Sequence, residues 1–257
     1  MAPEQDLADS TRTDRHVGLV VDSQREFDEL VRPLFFDGQR SGEKLVVFGS
    51  GQQFHAGEIS HNERWPANGV ETELRREVEA ARRQGYRGVR VLADMCDIGM
   101  TPLSTRDLIA FELALDRTVN DLDATMLCFY RNHMFAPDAV AAAMSAHAQG
   151  YGANSGDLGF RMWSDAAGGW HVCGAVDLTN VTSFRAALQS AASESSVLRL
   201  SFAELRFLDL TGLQVIADLV ESAPGMSLQV ESSSHSFRRC WEMLGYDETC
   251  PRAEIVA

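Results

Sequence analysis

The 257-residue sequence contains almost no lysine and carries little positive charge. Lys44 is the only lysine among 23 basic residues, and 37 acidic residues bring the net charge to −14. Residues 156–257 include 13 acidic and 7 basic residues, and the rest of the chain is also acidic. Neither half therefore offers the cationic face that a phosphate backbone requires. We expect no direct binding to nucleic acid.

Long apolar runs and paired cysteines are lacking as well. No apolar stretch approaches the roughly 20 residues that span a bilayer, and residues 1–14 lack the basic and apolar regions of a signal peptide. We predict a cytoplasmic protein without membrane contact, beginning in a disordered arm over residues 1–14. The five cysteines contain no C-x-x-C pair, which indicates reduced thiols. The seven histidines show no spacing typical of metal ligands, so we predict neither metal nor cofactor.

Strands and helices alternate along the first part of the chain, which predicts one domain over residues 15–149. Its predicted strands are near-continuous apolar runs, which is typical of a parallel sheet covered by helices on both faces. Residues 150–159 are rich in glycine and lack periodicity, which predicts a linker. A smaller αβ domain is predicted over residues 160–257. Its predicted strands are Trp170–Val176, Val197–Leu200, Leu205–Leu208 and Leu228–Val230, and its predicted helices are Ser183–Ala192, Gly212–Glu221 and Phe237–Leu244.

The segment Phe207–Leu213 predicts a strand, a tight turn and the start of a helix. Its polar turn lies where a helix dipole favours an added anion. With Gly174–Leu178 and Met226–Val230, this segment resembles the signature of STAS domains, the anti-sigma-factor-antagonist fold. The resemblance implies docking to an anti-sigma factor or a GHKL-type kinase. The docking residues that it implies are Asp209, Leu210, Thr211, Gly212 and Leu213.

One position departs from the STAS pattern. Leu210 stands where the family often carries a phosphorylated serine, and leucine cannot accept phosphate. The resemblance therefore implies a docking surface without its usual switch. Thr211 is the remaining hydroxyl of the turn, and two interpretations stay open: a helix N-cap that accepts a backbone N–H, or a site of phosphorylation. Asp209 is predicted to be a turn or cap residue.

The first domain resembles a second family through several short elements. They are His16, Gly42-Glu43-Lys44, Asp94-Met95, Cys128-Phe129-Tyr130-Arg131 and His147. These elements are similar to those of MEDS domains, sensory modules of methanogen, methylotroph and actinobacterial regulators. Arg131 stands where an aspartate is usual. The resemblance implies a RecA-like α/β fold and the sensing of a small molecule.

Enzymatic turnover of a nucleotide is not expected. The loop after Phe48 contains two glycines, but the sequence has no Gly-Lys-Ser/Thr motif to hold phosphates and their metal. A ligand of an α/β domain binds outside the carboxyl ends of the strands. His16 begins its strand and is expected at the opposite edge unless that strand is reversed. The candidate ligand-binding residues are His16, Ser50, Asp94, Glu112, Tyr130 and Arg131.

Together these observations predict a non-enzymatic signalling regulator. It would act in transcription control as an antagonist-like partner-switching protein, with a sensory domain in place of a phosphorylated serine. Two alternatives stay open: an α/β protein that binds a small molecule, phosphorylated ligands included, and a scaffold in a stress-signalling assembly. Whether the chain forms a homo-oligomer is also left open.

Overall fold

The structure is a computed structural model that describes most of the chain. The described residues are 15–49, 62–63, 69–97, 104–122, 124–152, 159–193 and 195–256. The predicted arm over residues 1–14 lies outside them.

The first sheet is parallel throughout. Its strands lie in the order β3-β2-β4-β5-β1-β6, and β3 contributes only two residues. The strand bounds are β1 His16–Val21, β2 Glu43–Phe48, β3 Asn62–Glu63, β4 Gly88–Asp94, β5 Thr125–Arg131 and β6 Gln149–Gly152.

Strand β6 corrects the predicted start of the linker. Residues 150–152 belong to the sheet, where they pair with β1. Glycine is needed there because the backbones approach closely: a Cβ on Gly152 would lie 1.9 Å from the Val20 carbonyl oxygen, and the φ of Gly152 is +92°. In this strand a glycine-rich composition reflects tight packing rather than a flexible connection.

Helices cover both faces of this sheet, as predicted. Helix α1 spans residues 24–40 and includes a π-helical stretch, Phe27–Val31. It packs on one face, and α2 (Val70–Arg83), α3 (Thr105–Leu122) and α4 (Pro137–Met144) pack on the other. Ser23 caps the start of α1, because its Oγ accepts from Glu26 N at 3.2 Å.

The second sheet has five strands in the order β11-β10-β9-β8-β7. Strands β7 and β8 are antiparallel and all other pairs are parallel. The bounds are β7 Phe160–Ser164, β8 Trp170–Val176, β9 Val197–Leu208, β10 Ser227–Glu231 and β11 Ala253–Ile255. The helices are α5 Val181–Ala192, α6 Leu210–Ser222, α7 His235–Met243 and α8 Tyr246–Thr249.

The prediction of two separate strands over residues 197–208 was wrong. They form the single strand β9, because pairing with β8 continues through two register shifts, at each of which β9 contains one extra residue. Strands β7 and β11 were not predicted. The fold class itself, a parallel α/β domain followed by a smaller αβ domain, is confirmed.

Helix α3 joins the two domains. Its residues Ile109 and Leu113 belong to the same apolar core as Phe160 and Phe184 of the second domain. Beyond them, Asn120 Nδ2 donates to the Ser164 carbonyl oxygen at 3.1 Å. The two domains therefore share a core. Among the described residues, none of the helices combines the length and apolarity that crossing a membrane requires.

Candidate functional site

A group of polar side chains is buried between the first sheet and helices α3 and α4. Each of them is at most 2% exposed. This buried polar cluster consists of His16, Glu112, Asp116, Cys128, Tyr130 and His147.

The fold brings these side chains together from four separate segments. Strands β1 and β5 are neighbours in parallel register, with Gly18 opposite Cys128, and residues two apart on a strand share a face. The two acidic residues are four apart on α3 and so share one helical face. His147 follows α4 and stacks on His16, with ring centroids 4.1 Å apart. Gly18 leaves room for this stack, because a Cβ there would lie 3.1 Å from His147 Cγ.

The carboxylate of Glu112 lies at the centre of the cluster. Its Oε1 accepts a hydrogen bond from the Tyr130 hydroxyl. Its Oε2 lies 3.3 Å from His16 Nε2 and 3.4 Å from His147 Nε2, and it has no well-formed hydrogen bond. Cys128 Sγ lies 3.3 Å from His16 Nε2. One ligand atom each from His16, Glu112, Cys128 and His147 therefore lies within 4.8 Å of every other.

A second layer of contacts orients these side chains. His147 Nδ1 lies 2.9 Å from the Ala143 carbonyl oxygen, which can only accept, so Nδ1 carries the proton. His16 Nδ1 lies 3.4 Å from Asp116 Oδ1. The other oxygen of Asp116 accepts from Ser164 N at 2.6 Å and from Ser164 Oγ at 2.7 Å. Because Ser164 belongs to β7, Asp116 links the cluster directly to the second domain.

Burial is the largest single influence on the pKa values of the side chains in this cluster. It lowers the pKa of His147 well below its ordinary value, and His16 lowers it further. Burial also acts to lower the pKa of His16, but Cys128, Asp116 and Glu112 outweigh it, so this pKa lies well above its ordinary value. Burial, reinforced by Glu112, raises the pKa of the Cys128 thiol to about 12 and that of Tyr130 well above its usual range.

The candidate ligand residues predicted from the sequence fall into two places. His16, Glu112 and Tyr130 belong to the buried polar cluster, although Tyr130 and Glu112 were expected at the carboxyl edge of the sheet. Asp94 and Arg131 do lie at that edge, where Arg131 Nη2 donates to Asp94 Oδ2 at 3.0 Å. Ser50 lies outside the described residues.

One cavity lined by described residues at that edge is small. It has a volume of about 130 Å³, and Arg131 contributes to its lining together with Asp22, Ser23 and Phe129. Pockets for drug-sized molecules usually measure roughly 300–1,000 Å³. The described part of this cavity therefore suits a ligand of only a few atoms.

The turn before α6 differs in detail from the expected one. Asp209 is the N-cap, since its Oδ1 accepts from Gly212 N at 3.0 Å. Thr211 lies inside the first turn of the helix and donates its hydroxyl proton to Asp209 Oδ1 at 2.5 Å, so the interpretation of Thr211 as the N-cap was wrong. These bonds hold the pKa of Asp209 below its usual value, with the Thr211 bond as the largest cause.

Two of the five implied docking residues lie in the interior. The side chain of Leu213 is in the apolar core of the second domain. Gly212 approaches Val176 and Leu208 closely, and a Cβ there would lie 2.5 Å from Leu208 Cδ1. The structure therefore leaves Asp209, Leu210 and Thr211 as the accessible part of the set.

Three apolar side chains are exposed around this turn. Leu178 follows β8 and is 74% exposed, Phe207 near the end of β9 is 54% exposed, and Leu210 at the start of α6 is 60% exposed. We call these three residues the apolar docking surface. Beside them, a groove of about 430 Å³ runs between the end of β9 and helix α7, and Phe207 and Phe237 line it. Large exposed apolar side chains that occur together mark interaction sites more often than single ones do.

Comparison with known protein families shows to which family the chain belongs. A profile described as "MEDS: MEthanogen/methylotroph, DcmR Sensory domain" matches residues 15–148, which is more than half of the sequence. The chain belongs to the MEDS family. A second profile, described as "Mlab, STAS domain", matches residues 161–256. Both resemblances stated from the sequence are confirmed, in the expected order.

Similarity to individual proteins is slight. No curated protein matches the chain. One solved structure, described as "Crystal structure of putative isomerase from Sinorhizobium meliloti", shares 10% identity at a TM-score of 0.21. The match covers 95% of this chain and 49% of the other, so the chain spans about half the length of that protein. A likeness this low carries no argument about fold or function.

The MEDS domain contains site residues that sequence reasoning did not select. Cys128 and His147 belong to the elements that resemble MEDS domains, yet spacing along the chain gave no reason to join them. Asp116 was not noted at all. The signal that could have found it is its place four residues after Glu112, because two carboxylates on one inward face of a helix require buried partners.

Proposed function

We propose that this chain is a non-enzymatic cytoplasmic regulator whose STAS domain docks an anti-sigma factor or a GHKL-type kinase. The observation that carries the proposal is Leu210, an apolar side chain that is 60% exposed at the first residue of α6. It stands where STAS domains often carry a phosphorylated serine. With Leu178 and Phe207 it presents the apolar docking surface to a partner.

Control of docking passes, in this proposal, to the MEDS domain. A phosphate placed beside a docking helix adds nearly two negative charges and repels a partner, but Leu210 cannot carry one. Helix α3 offers another route, because it contacts the STAS core through Leu113 and holds the buried polar cluster through Glu112 and Asp116. A ligand that shifts α3 would change the STAS domain without covalent modification.

Replacing Leu210 by Glu should weaken docking while the fold persists. Burying a leucine in an interface contributes about 1.5–3 kcal/mol, so we expect the Kd for the purified partner to rise at least about tenfold. The fold should tolerate the change, since an acidic residue in the first turn of a helix is favourable. Calorimetric titration against each anti-sigma factor or GHKL-type kinase of the source genome measures the effect.

Val197→Glu serves as the matched control. Val197 is also exposed, at 39%, and lies at the opposite end of β9 from the docking surface. It should leave the Kd unchanged. Equal affinities for wild type and Leu210→Glu would contradict the proposed surface.

Thr211→Ala should leave docking intact. The Thr211 hydroxyl is engaged by Asp209 rather than free for a partner, and Asp209 keeps its cap bond to Gly212 without it. We expect a Kd within about a factor of two of wild type and a loss of stability of at most about 1 kcal/mol. A regulated phosphate on Thr211 in cells, accompanied by partner release, would overturn this expectation.

A further inference from the structure

We propose that the buried polar cluster is a four-coordinate transition-metal site of the zinc class. Its ligand atoms are His16 Nε2, Glu112 Oε2, Cys128 Sγ and His147 Nε2. The inference goes beyond the proposed function, and docking by the STAS surface does not depend on it.

Three of the six separations between these atoms match the edges of a tetrahedral site. With metal–ligand distances of about 2.0–2.2 Å for nitrogen and oxygen and about 2.3 Å for sulfur, the edges of the tetrahedron measure about 3.3–3.6 Å. The measured separations are 3.3 Å from His16 Nε2 to Glu112 Oε2, 3.3 Å from His16 Nε2 to Cys128 Sγ, and 3.4 Å from His147 Nε2 to Glu112 Oε2. All the remaining separations are within 4.8 Å.

A hydrogen-bonded network explains these contacts less well. Hydrogen bonds between nitrogen and oxygen usually measure about 2.7–3.2 Å, and the two nitrogen–oxygen contacts are longer, at 3.3 and 3.4 Å. The contact of His16 Nε2 with Cys128 Sγ, at 3.3 Å, fits either a hydrogen bond or a shared metal. Glu112 Oε2 and His147 Nε2 are fully buried and have no well-formed hydrogen bond. A buried polar atom without a partner costs about 1–3 kcal/mol, and a metal ion would supply the same partner to both atoms.

The surrounding contacts suit metal ligands. His147 donates its Nδ1 proton to the Ala143 carbonyl oxygen, which leaves the lone pair of Nε2 directed at the cluster. His16 Nδ1 faces the Asp116 carboxylate, the arrangement that commonly orients metal-binding histidines. The Glu112 oxygen that does not face the histidines accepts from Tyr130. His147 and Glu112 therefore each have a hydrogen-bonded orienting partner, and His16 Nδ1 has the Asp116 carboxylate 3.4 Å away.

The donor set selects the class of metal. One thiolate and two imidazoles favour zinc and neighbouring transition metals over magnesium or calcium. Binding releases the Cys128 thiol proton and any proton on His16 Nε2 to water, because only the deprotonated atoms coordinate. The thiolate and the Glu112 carboxylate then balance the two positive charges of Zn²⁺.

Cobalt is the probe that tests the site. The full chain is expressed in minimal medium supplemented with Co²⁺ or Zn²⁺ and purified by gel filtration, because the ligands are buried and should load during folding. We expect about one metal ion per chain by elemental analysis. The Co²⁺ form should show the intense visible bands of tetrahedral cobalt and a thiolate-to-cobalt charge-transfer band in the near ultraviolet.

Two variants and a control assign the bands. Cys128→Ser, a nearly isosteric change, should remove the charge-transfer band, and Glu112→Gln should weaken metal retention against a chelator about 100-fold. Cys250→Ser alters another buried cysteine, remote from the cluster, and should behave as wild type. Purified wild type with well under one equivalent of metal, or a charge-transfer band that persists in Cys128→Ser, would overturn the proposal.

Discussion

Replacing Asp116 by Ala should lower the free energy of unfolding by about 3–5 kcal/mol. Asp116 is 2% exposed and serves both domains. Its loss would leave the backbone N–H and hydroxyl of Ser164 without their acceptor and remove the carboxylate that faces His16. Buried donors that lose their only partner cost far more than the net value of a hydrogen bond. Chemical denaturation followed by circular dichroism measures the change.

Asp121→Ala is the control for Asp116→Ala. It makes the same substitution on the same helix, but Asp121 is exposed, so its effect should stay within about 0.5 kcal/mol. Similar values for the two variants would mean that Asp116 does not join the domains as described. A further readout is specific to the link between the domains: amide hydrogen exchange in β7 should accelerate in Asp116→Ala and not in Asp121→Ala.

Replacing Phe184 by Ala should destabilise the whole chain, not only the STAS domain. Phe184 is completely buried and packs edge-on against Phe160, with ring centroids 5.4 Å apart. Truncating such a side chain costs about 3–5 kcal/mol. Because Ile109 and Leu113 of the MEDS domain belong to the same core, we expect wild type and variant each to unfold in one cooperative transition, shifted to lower temperature in the variant. Differential scanning calorimetry distinguishes one transition from two.

Phe207→Ala makes the same change at an exposed phenylalanine. With 54% of its side chain already in water, Phe207 should contribute at most about 1 kcal/mol to stability, although it lies on the proposed docking surface. Two separate transitions, only one of which moves in Phe184→Ala, would show that the domains unfold independently.

The sequence predicted those parts of the fold that local patterns encode. Apolar runs such as the one ending at Tyr130 are visible without knowing their neighbours, and the spacing of Ser23 and Glu26 identifies a helix start. Strand β6 was not predicted because it is rich in glycine, as flexible linkers are. Its glycines instead allow close packing against Val20. Strand β9 was divided in two because its continuity depends on pairing with β8, which is not a local property.

The buried polar cluster was the least predictable part. His16, Glu112, Cys128 and His147 are separated by 96, 16 and 19 positions, so no spacing rule connects them. Only the parallel register of β1 with β5, and the crossing of α3 over both, brings them together. The STAS turn was more accessible to sequence reasoning because all its residues are contiguous. Even there, the choice of Asp209 over Thr211 as the cap depends on where the helical backbone begins: Asp209 is extended and its carbonyl oxygen accepts from Leu213 N, which places Thr211 inside the helix.

Helix α3 also limits how this protein can be divided for study. Cutting the chain between residues 152 and 159, between the two family matches, would remove the STAS domain from the apolar core that it shares with the MEDS domain. On the MEDS side this would expose Ile109, Leu113, Ala142 and Ala146 to solvent. The fragment would carry a bare apolar stripe, and such stripes promote self-association. Oligomers or poor solubility of an isolated MEDS fragment would then be artefacts of the cut. Ligand screens on the intact chain avoid them.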